Sequence, residues 1–179
     1  MFLSHRTDNT SKLFISQMAN FLTIMNLGCG ILALLFVTRG NPHLSLLFIF
    51  LAALFDSFDG RVARNLNIVS DFGKQLDSLS DLVSFGVAPA FLLYESILHR
   101  YHSAGTLFMI IFIICGAIRL ARYNTTVFTG SFQGLPITAA GCFLAISYFG
   151  IPYFPSYIFM FFVLILSFLM ISSLKIKKL

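Results

Sequence analysis

Six long apolar runs dominate this chain and limit what it can fold into. They are Leu22–Val37, Leu44–Phe55, Leu82–Leu98, Leu107–Ile118, Ile137–Ile151 and Ile158–Leu174. A bilayer span needs about 20 mostly apolar residues, so several of these runs reach that length only with their polar ends included. The mean hydropathy of +0.88 and the hydrophobic content of 58% lie above the range of soluble domains. The pattern predicts an all-α membrane protein with six transmembrane helices.

The N-terminal segment differs from the runs that follow it. Its start is polar and no small-residue cleavage site ends the first apolar run, so it does not resemble a secretory signal. Thr10 or Ser11 can cap a short helix with one apolar side, which predicts a short N-terminal amphipathic helix on the membrane surface. We therefore expect three parts: an interfacial, cytoplasmic segment at 1–18, a six-helix domain at 19–174 and a basic cytoplasmic tail at 175–179.

The basic residues are distributed unevenly between the two sides of a six-span arrangement. The side that holds both termini carries ten of the twelve Lys and Arg residues, namely Arg6, Lys12, Arg61, Arg64, Lys74, Arg119, Arg122, Lys175, Lys177 and Lys178. The opposite side carries only Arg39 and Arg100. Because cytoplasmic loops are enriched in Lys and Arg, we expect both termini to face the cytoplasm, in the cell membrane. The net charge of +5 then fits attraction to anionic lipid, and nucleic acid is not an expected partner.

The stretch Asp56–Asp81, DSFDGRVARNLNIVSDFGKQLDSLSD, carries five of the seven acidic residues of an otherwise apolar chain. If the second span begins at Pro42, Asp56 lies about 21 Å into it at a rise of ~1.5 Å per residue. The third span should end near Glu95, and Asp81 lies about 21 Å before that residue. Both carboxylates then fall in the cytoplasmic third of a hydrocarbon layer about 30 Å thick.

Asp59 and Asp77 lie about one helical turn nearer the cytoplasm than these two residues. The pairs are spaced i, i+3 and i, i+4, so each pair projects from one helix face. Four carboxylates in a low dielectric do not all stay ionised without cations, and their oxygens suit Mg²⁺ or Mn²⁺. The spacing predicts a site for two divalent cations. The alternative, a helix cap at the membrane surface, is preferred only for Asp71, which precedes the third span.

A fixed pattern, D-x2-D-G-x2-A-R-x8-G-x3-D-x3-D, runs through this stretch. It is carried by Asp56, Asp59, Gly60, Ala63, Arg64, Gly73, Asp77 and Asp81. It resembles, without gaps, the signature of the CDP-alcohol phosphatidyltransferase family. The segments LDSLSDLVSFGVAPAFLLY, GAIRLARYN and FQGLPITAAG are further similar to the CDP-diacylglycerol–serine O-phosphatidyltransferases, the phosphatidylserine synthases of bacteria and archaea. The similarity runs from about Asn20 to Gly141, with a local departure at Thr138, where many relatives have a second proline.

The resemblance implies a six-helix membrane enzyme, usually a homodimer, with two divalent cations. It implies that Asp56, Asp59, Asp77 and Asp81 are the metal ligands and that Asp81 is also the catalytic proton acceptor. It implies contacts to the CDP part of the lipid donor from Asn20, Thr23, Gly60, Arg64 and Ser70. The implied reaction moves the phosphatidyl group of CDP-diacylglycerol to the hydroxyl of L-serine, which yields phosphatidylserine and CMP.

The acceptor remains open at this point. Arg119 and Arg122, near the cytoplasmic end of the fourth span, are candidate anchors for the serine carboxylate, and ordinary flanking charge is the alternative. Another CDP-alcohol transferase, a phosphatidylglycerophosphate or archaetidylserine synthase, is a second possibility, although many users of glycerol phosphate have Lys where Leu82 follows the last Asp. A divalent cation transporter would need carboxylates towards both faces, whereas these keep to one side.

Overall fold

The computed structural model describes residues 2–66, 71–125, 132–172 and 175–176, and of 2–16, 19, 59–66, 132–133 and 175–176 it describes the backbone alone. The α-helices are α1 Phe2–Thr38, α2 Pro42–Leu66, α3 Asp71–Asp81, α4 Ala88–Ser96, α5 His102–Thr125, α6 Ile137–Ser147 and α7 Ser156–Ile171. A π-helix, Leu82–Val87, joins α3 to α4, and 3-10 helices lie at Leu98–Tyr101 and Tyr148–Gly150. Two short strands, β1 Phe132–Gln133 and β2 Lys175–Ile176, pair antiparallel.

The all-α class predicted from the sequence is confirmed. Three helical stretches of the described chain are long and apolar enough to cross a membrane, namely Asn20–Thr38, Asp71–Ser96 and Leu98–Thr125. Three shorter apolar helices accompany them, namely Pro42–Phe58, Ile137–Gly150 and Ser156–Ile171. Each of these six stretches overlaps one of the six apolar runs, but length and composition alone identify three candidate spans.

The expectation of a separate short helix at the N-terminus is wrong for the backbone. Helix α1 continues for 37 residues, from Phe2 to Thr38, and enters the first apolar run without a turn. The reason is local, because neither Gly nor Pro interrupts the chain before Gly28. The N-terminal segment is therefore the first part of α1.

The start of α2 agrees with its sequence signals. The helix begins at Pro42, whose missing N–H would have no partner in a first turn. Before it, Gly40 has a φ of +72°, which costs glycine little because it lacks a Cβ. The N–H groups of Gly40 and Asn41 donate to the carbonyls of Val37 and Phe36, at 2.9 Å each. This short reversal makes α1 and α2 packed neighbours.

A buried apolar core joins the second half of the chain. Phe85 of the π-helix, Phe112 of α5, Ile137 and Leu144 of α6 and Val163 of α7 belong to one cluster and are almost fully buried. A smaller cluster joins α1, α2 and α4 through Ala33, Val37, Leu46, Ile49 and Leu92. Between helices in hydrocarbon, close van der Waals contact and hydrogen bonds supply most of the attraction, so these packed surfaces hold the helices in place.

The π-helix between α3 and α4 has an identifiable cause. Pro89 has no N–H, so the carbonyl of Phe85 receives no backbone hydrogen bond from the residue four positions later. Just before it, the N–H of Ala88 donates to the carbonyl of Val83, five residues back, which is the π pattern. Glycines flank the segment closely: a Cβ on Gly30 would lie 2.9 Å from Cα of Ser84, and one on Gly141 would lie 2.8 Å from Cα of Phe85. The segment is thus enclosed by α1 and α6.

Candidate active site

Three carboxylates from two helices meet at one point. Asp56 lies on α2, and Asp77 and Asp81 lie on α3, with ligand oxygens that are all within 4.8 Å of one another. Asp81 is the deepest, at 8% exposure, and the other two are half-buried. The depths calculated from Pro42 and Glu95 predicted this meeting, since α2 begins at Pro42 and α4 ends at Ser96. Asp59 lies on the same helix as Asp56, and its side chain is outside the described residues.

Oxygens this close repel one another when the carboxylates are ionised. The repulsion is strong because the dielectric constant around partly buried groups is low. A hard divalent cation removes it, and oxygens of carboxylates are the ligands such ions prefer. The side chains of Asp56, Asp77 and Asp81 therefore fit a metal ion by both charge and separation.

Helix α1 closes one side of the cluster. Asn26 is fully buried, and its Nδ2 donates a hydrogen bond of 3.4 Å to Oδ1 of Asp81. The hydroxyl of Ser80 donates to the carbonyl of Thr23 at 3.2 Å, and that of Ser84 donates to the carbonyl of Asn26 at 3.0 Å. These bonds fix α3 and the π-helix against α1, and they hold the Asp81 side chain beside Asn26.

Helix α5 closes another side. The Nδ2 of Asn124 donates to the hydroxyl oxygen of Ser78 at 3.0 Å, and that hydroxyl donates to the carbonyl of Lys74 at 3.1 Å. Arg119 is half-buried and lies near enough to Asp81 for their charges to attract. The ammonium group of Lys74 lies 5.9 Å from the centre of the Tyr123 ring. This wall of the site is therefore positively charged and polar.

The nucleotide-contact residues expected from the sequence are only partly described. Asn20 and Thr23 lie on α1, the first half-buried and the second 4% exposed, and Thr23 precedes Asn26 by one turn on the same side. Gly60 and Arg64 lie on α2, where the structure describes the backbone alone. Ser70 lies outside the described residues. The structure thus brings Thr23 towards the cluster through Ser80 and leaves the other positions as expectations.

The two candidate acceptor anchors differ in environment. Arg119 is half-buried and within electrostatic range of Asp81, whereas Arg122 is exposed and its Nη1 donates to the carbonyl of Ile171 at 3.3 Å. Sequence reasoning missed Asn26 and Asn124, whose amide nitrogens donate to Asp81 and to Ser78, the residue after Asp77. A signal existed for Asn26, because an amide inside the apolar run Leu22–Val37 needs a partner.

Apolar helices of membrane length together with a partly buried group of carboxylates define a class: a membrane protein with an acidic site suited to divalent cations. Comparison with known proteins narrows it. The sequence profile of the CDP-alcohol phosphatidyltransferase family matches residues 16–172, and the chain belongs to that family.

Relatives within the family carry related names. The chain is 44% identical over 126 residues to the CDP-diacylglycerol–serine O-phosphatidyltransferase of Bacillus subtilis, covering 70% of this chain and 71% of that protein. It is 44% identical over 130 residues to the protein of the same name from Methanocaldococcus jannaschii, covering 73% of this chain and 59% of that protein. Archaetidylserine synthase of Methanothermobacter thermautotrophicus is 37% identical over 163 residues, or 89% of this chain and 69% of that one.

Proposed function

We propose that this protein transfers the phosphatidyl group of CDP-diacylglycerol to the hydroxyl of L-serine, forming phosphatidylserine and CMP. The observation that carries the proposal is the meeting of Asp56, Asp77 and Asp81 within 4.8 Å in a chain of this family. The names of the relatives at 44% identity support CDP-diacylglycerol and serine as the substrates. The 37% identity to an archaetidylserine synthase favours a second candidate, which keeps serine and changes the lipid.

The metal ligands in this proposal are Asp56, Asp59, Asp77 and Asp81, and the cofactors are two divalent cations, Mg²⁺ or Mn²⁺. The three described carboxylates support it by their separation, and Asp59 follows on the same helix as Asp56. When bound, the cations polarise the pyrophosphate oxygens and neutralise the charge of the leaving phosphate.

Asp81 is the proposed proton acceptor. The serine oxygen forms a bond to the phosphorus that carries diacylglycerol, while its proton passes to the Asp81 carboxylate. The bond from that phosphorus to the phosphate oxygen of CMP breaks, and CMP leaves with the electron pair. The hydrogen bond from Asn26 supports this role because it holds the carboxylate in one orientation.

The donor's nucleotide is held, in this proposal, by Asn20, Thr23, Gly60, Arg64 and Ser70. A guanidinium such as that of Arg64 can bind phosphate through two parallel hydrogen bonds, and a glycine at 60 allows close approach. Arg119 and Arg122 are the proposed partners of the serine carboxylate. The burial of Thr23 near the carboxylates supports its assignment to the nucleotide-binding group.

In the membrane, we propose six transmembrane helices with both termini and the site on the cytoplasmic side, and a homodimer. The domain would extend over 19–174, between a cytoplasmic segment at 1–18, which is the first part of α1, and a basic tail at 175–179. Support comes from the six apolar helical stretches and the ten-to-two distribution of basic residues. The pairing of β1 with β2 also supports it, because the segments after α5 and α7 then share one end of the molecule.

An assay with purified protein tests the reaction. With CDP-diacylglycerol and Mg²⁺ or Mn²⁺, CMP release should require serine and should not occur with glycerol 3-phosphate or inositol. EDTA should abolish release, and the metal ion should restore it. Release with glycerol 3-phosphate in place of serine would contradict the proposal.

Orientation has its own test. In a variant without the three native cysteines, Thr125→Cys should react with an impermeant thiol reagent only from the cytoplasmic side, and Asn41→Cys only from outside. Both positions are exposed and lie near opposite ends of the bundle. The opposite labelling would reverse the proposed topology.

A further inference from the structure

We infer that Asn26 and Arg119 recognise the two charged groups of an α-amino acid acceptor: Oδ1 of Asn26 accepts from the ammonium, and Nε–H of Arg119 donates to the carboxylate. The inference rests on the proposed transfer to serine and assigns a role to Asn26 that the acidic pattern does not include. It starts from buried polar atoms beside Asp81 whose hydrogen-bonding capacity is unused among the described residues.

The orientation of the Asn26 amide follows from its neighbour. An ionised carboxylate only accepts hydrogen bonds, so the amide nitrogen must be the atom facing Oδ1 of Asp81, at 3.4 Å. The amide oxygen therefore points elsewhere, and within the described chain it has no hydrogen-bond partner although the residue is 0% exposed. The great majority of buried polar atoms have partners, so this oxygen is placed to accept from a ligand.

Arg119 provides the opposite function. Its Nε is buried and has no hydrogen-bond acceptor among the residues that the structure describes. Its guanidinium lies within electrostatic range of Asp81, and the helix that carries it also contacts α3 through the hydrogen bond from Asn124 to Ser78. Arg122 is less suited, because it is exposed and its Nη1 already donates to the carbonyl of Ile171. Of the two arginines, Arg119 is therefore the carboxylate anchor.

Asn124 supplies a second acceptor nearer the cytoplasm. The Ser78 hydroxyl donates its proton to the Lys74 carbonyl, so it can only accept from Asn124, whose nitrogen must face it. The amide oxygen of Asn124 is buried and, in the described part of the chain, unpartnered. It lies about 7.5 Å along α5 from Arg119 at ~1.5 Å per residue, on the side from which a soluble substrate enters.

These groups complement a zwitterion. An amino acid offers three ammonium N–H donors and two carboxylate oxygens, and the site offers two buried amide acceptors and one guanidinium donor. With both charged groups held beside Asp81, the hydroxyl on the neighbouring carbon comes within reach of the Asp81 carboxylate. Ethanolamine lacks the carboxylate, and 3-hydroxypropionate lacks the ammonium, so each should lose one of the two interactions.

The test compares selectivity in kcat/KM for CMP release across serine, ethanolamine and 3-hydroxypropionate. Asn26→Leu should lower the preference for serine over 3-hydroxypropionate by about ten- to a hundred-fold, because a hydrogen bond to a charged group is lost. The preference of this variant for serine over ethanolamine should stay within about threefold of that of the unchanged protein. Arg119→Lys keeps the charge without the Nε–H and should show the reverse pattern.

The ratio of kcat/KM for two acceptors distinguishes recognition of the acceptor from positioning of Asp81. If Asn26 acted only by holding Asp81, all acceptors would lose rate equally and the ratio would not change. The affinity for CDP-diacylglycerol, measured separately, should match that of the unchanged protein. Should Asn26→Leu fail to bind the CDP-lipid, Asn26→Ser removes the same oxygen without adding bulk. Matched controls are Asn41→Leu and Arg100→Lys, which are exposed and far from the cluster along the chain.

The outcomes are distinguishable. Serine-dependent CMP release with unchanged ratios in both variants would overturn the recognition role and leave the proposed function intact. No CMP release with serine in the unchanged protein would overturn the proposed function, and serine as the ligand with it. Opposite shifts of the two ratios support the inference.

Discussion

Two helix contacts in this molecule are built in different ways. Where α1 meets α3 and the π-helix, hydroxyls of Ser80 and Ser84 donate to carbonyls of α1, and Gly30 allows a close approach to Ser84. Where α5 meets α7, the buried surface is apolar and includes Phe112, Val163, Leu166 and Met170. The first contact lies beside the carboxylates, and the second belongs to the apolar core.

The two contacts differ in what they contribute: the first positions the carboxylates, and the second stabilises the fold. Hydrogen bonds are directional, so the α1 contact fixes both the depth and the rotation of α3, and with them the Asp81 side chain. Apolar packing is less directional and tolerates changes that preserve volume. We therefore expect activity to depend on the α1 contact and stability to depend on both. The following predictions are ordered by their effect on CMP release.

The largest effect should follow Asp77→Asn. The substitution removes one of the charged oxygens that lie within 4.8 Å of each other and weakens the hold on a divalent cation. Loss of one electrostatic contact to developing charge commonly costs about 10²–10³-fold in kcat, so CMP release should fall by at least that amount. Thermal unfolding should be unchanged or raised, because like charges are relieved. Glu95→Gln, an exposed acid at the other end of α4, serves as the control.

A smaller loss should follow Gly30→Ala. Its Cβ would meet the Oγ of Ser84 and lie 2.9 Å from the Cα of Ser84, so the π-helix must move away from α1. We expect about a tenfold lower kcat and about 1–3 kcal/mol of destabilisation from overpacking. Gly28→Ala is the matched control on the same helix, since nothing lies within 4 Å of its Cβ position. Equal activity of the two variants would show that the close approach of Gly30 to Ser84 is not needed for CMP release.

Ser84→Ala should have a more modest effect. It deletes the 3.0 Å hydrogen bond to the carbonyl of Asn26, a contact worth about 0.5–1.5 kcal/mol. CMP release should fall about two- to tenfold as α1 and the π-helix lose one connection. Ser167→Ala on α7 is the control, because that buried hydroxyl donates to Val163 of its own helix at 2.8 Å. A loss of equal size in Ser167→Ala would show that the connection between helices is not what matters.

Leu166→Ala should change CMP release least. The side chain is 3% exposed in the apolar core, and its truncation leaves a cavity that costs about 2–5 kcal/mol of stability. The folded fraction should still release CMP within about twofold of the unchanged rate, because Leu166 belongs to the apolar core cluster and not to the group of carboxylates. Thermal unfolding and the rate per folded molecule must be measured together. A tenfold slower folded enzyme would show that the apolar contact also positions the site.

Part of this architecture was predictable because it depends on local sequence. The start of α2 at Pro42, the end of α4 near Glu95 and the convergence of Asp56 with Asp81 follow from helix rise and spacing. The partners of Asn26 and Asn124 were not predictable, since Asp81 and Ser78 are 55 and 46 residues away in the chain. Contacts between helices depend on rotation about each axis, which a uniformly apolar run does not specify.

The π-helix was not predictable either, because the six residues LVSFGV are mostly apolar and show no helical period.

The position of the π-helix has a consequence for how this sequence can change length. The segment Leu82–Val87 separates the acidic end of α3 from α4, and in an ordinary α-helix each residue turns the chain by about 100°. The bond from the N–H of Ala88 to the carbonyl of Val83 encloses one residue more than an ordinary α-turn. Removing one residue from this segment would therefore let it close as a regular turn and leave α4 in nearly the same rotation, whereas a deletion between Asp77 and Asp81 would turn one carboxylate about 100° away from the other. We expect the length of the chain to be adjustable in the π-helix and fixed in α3.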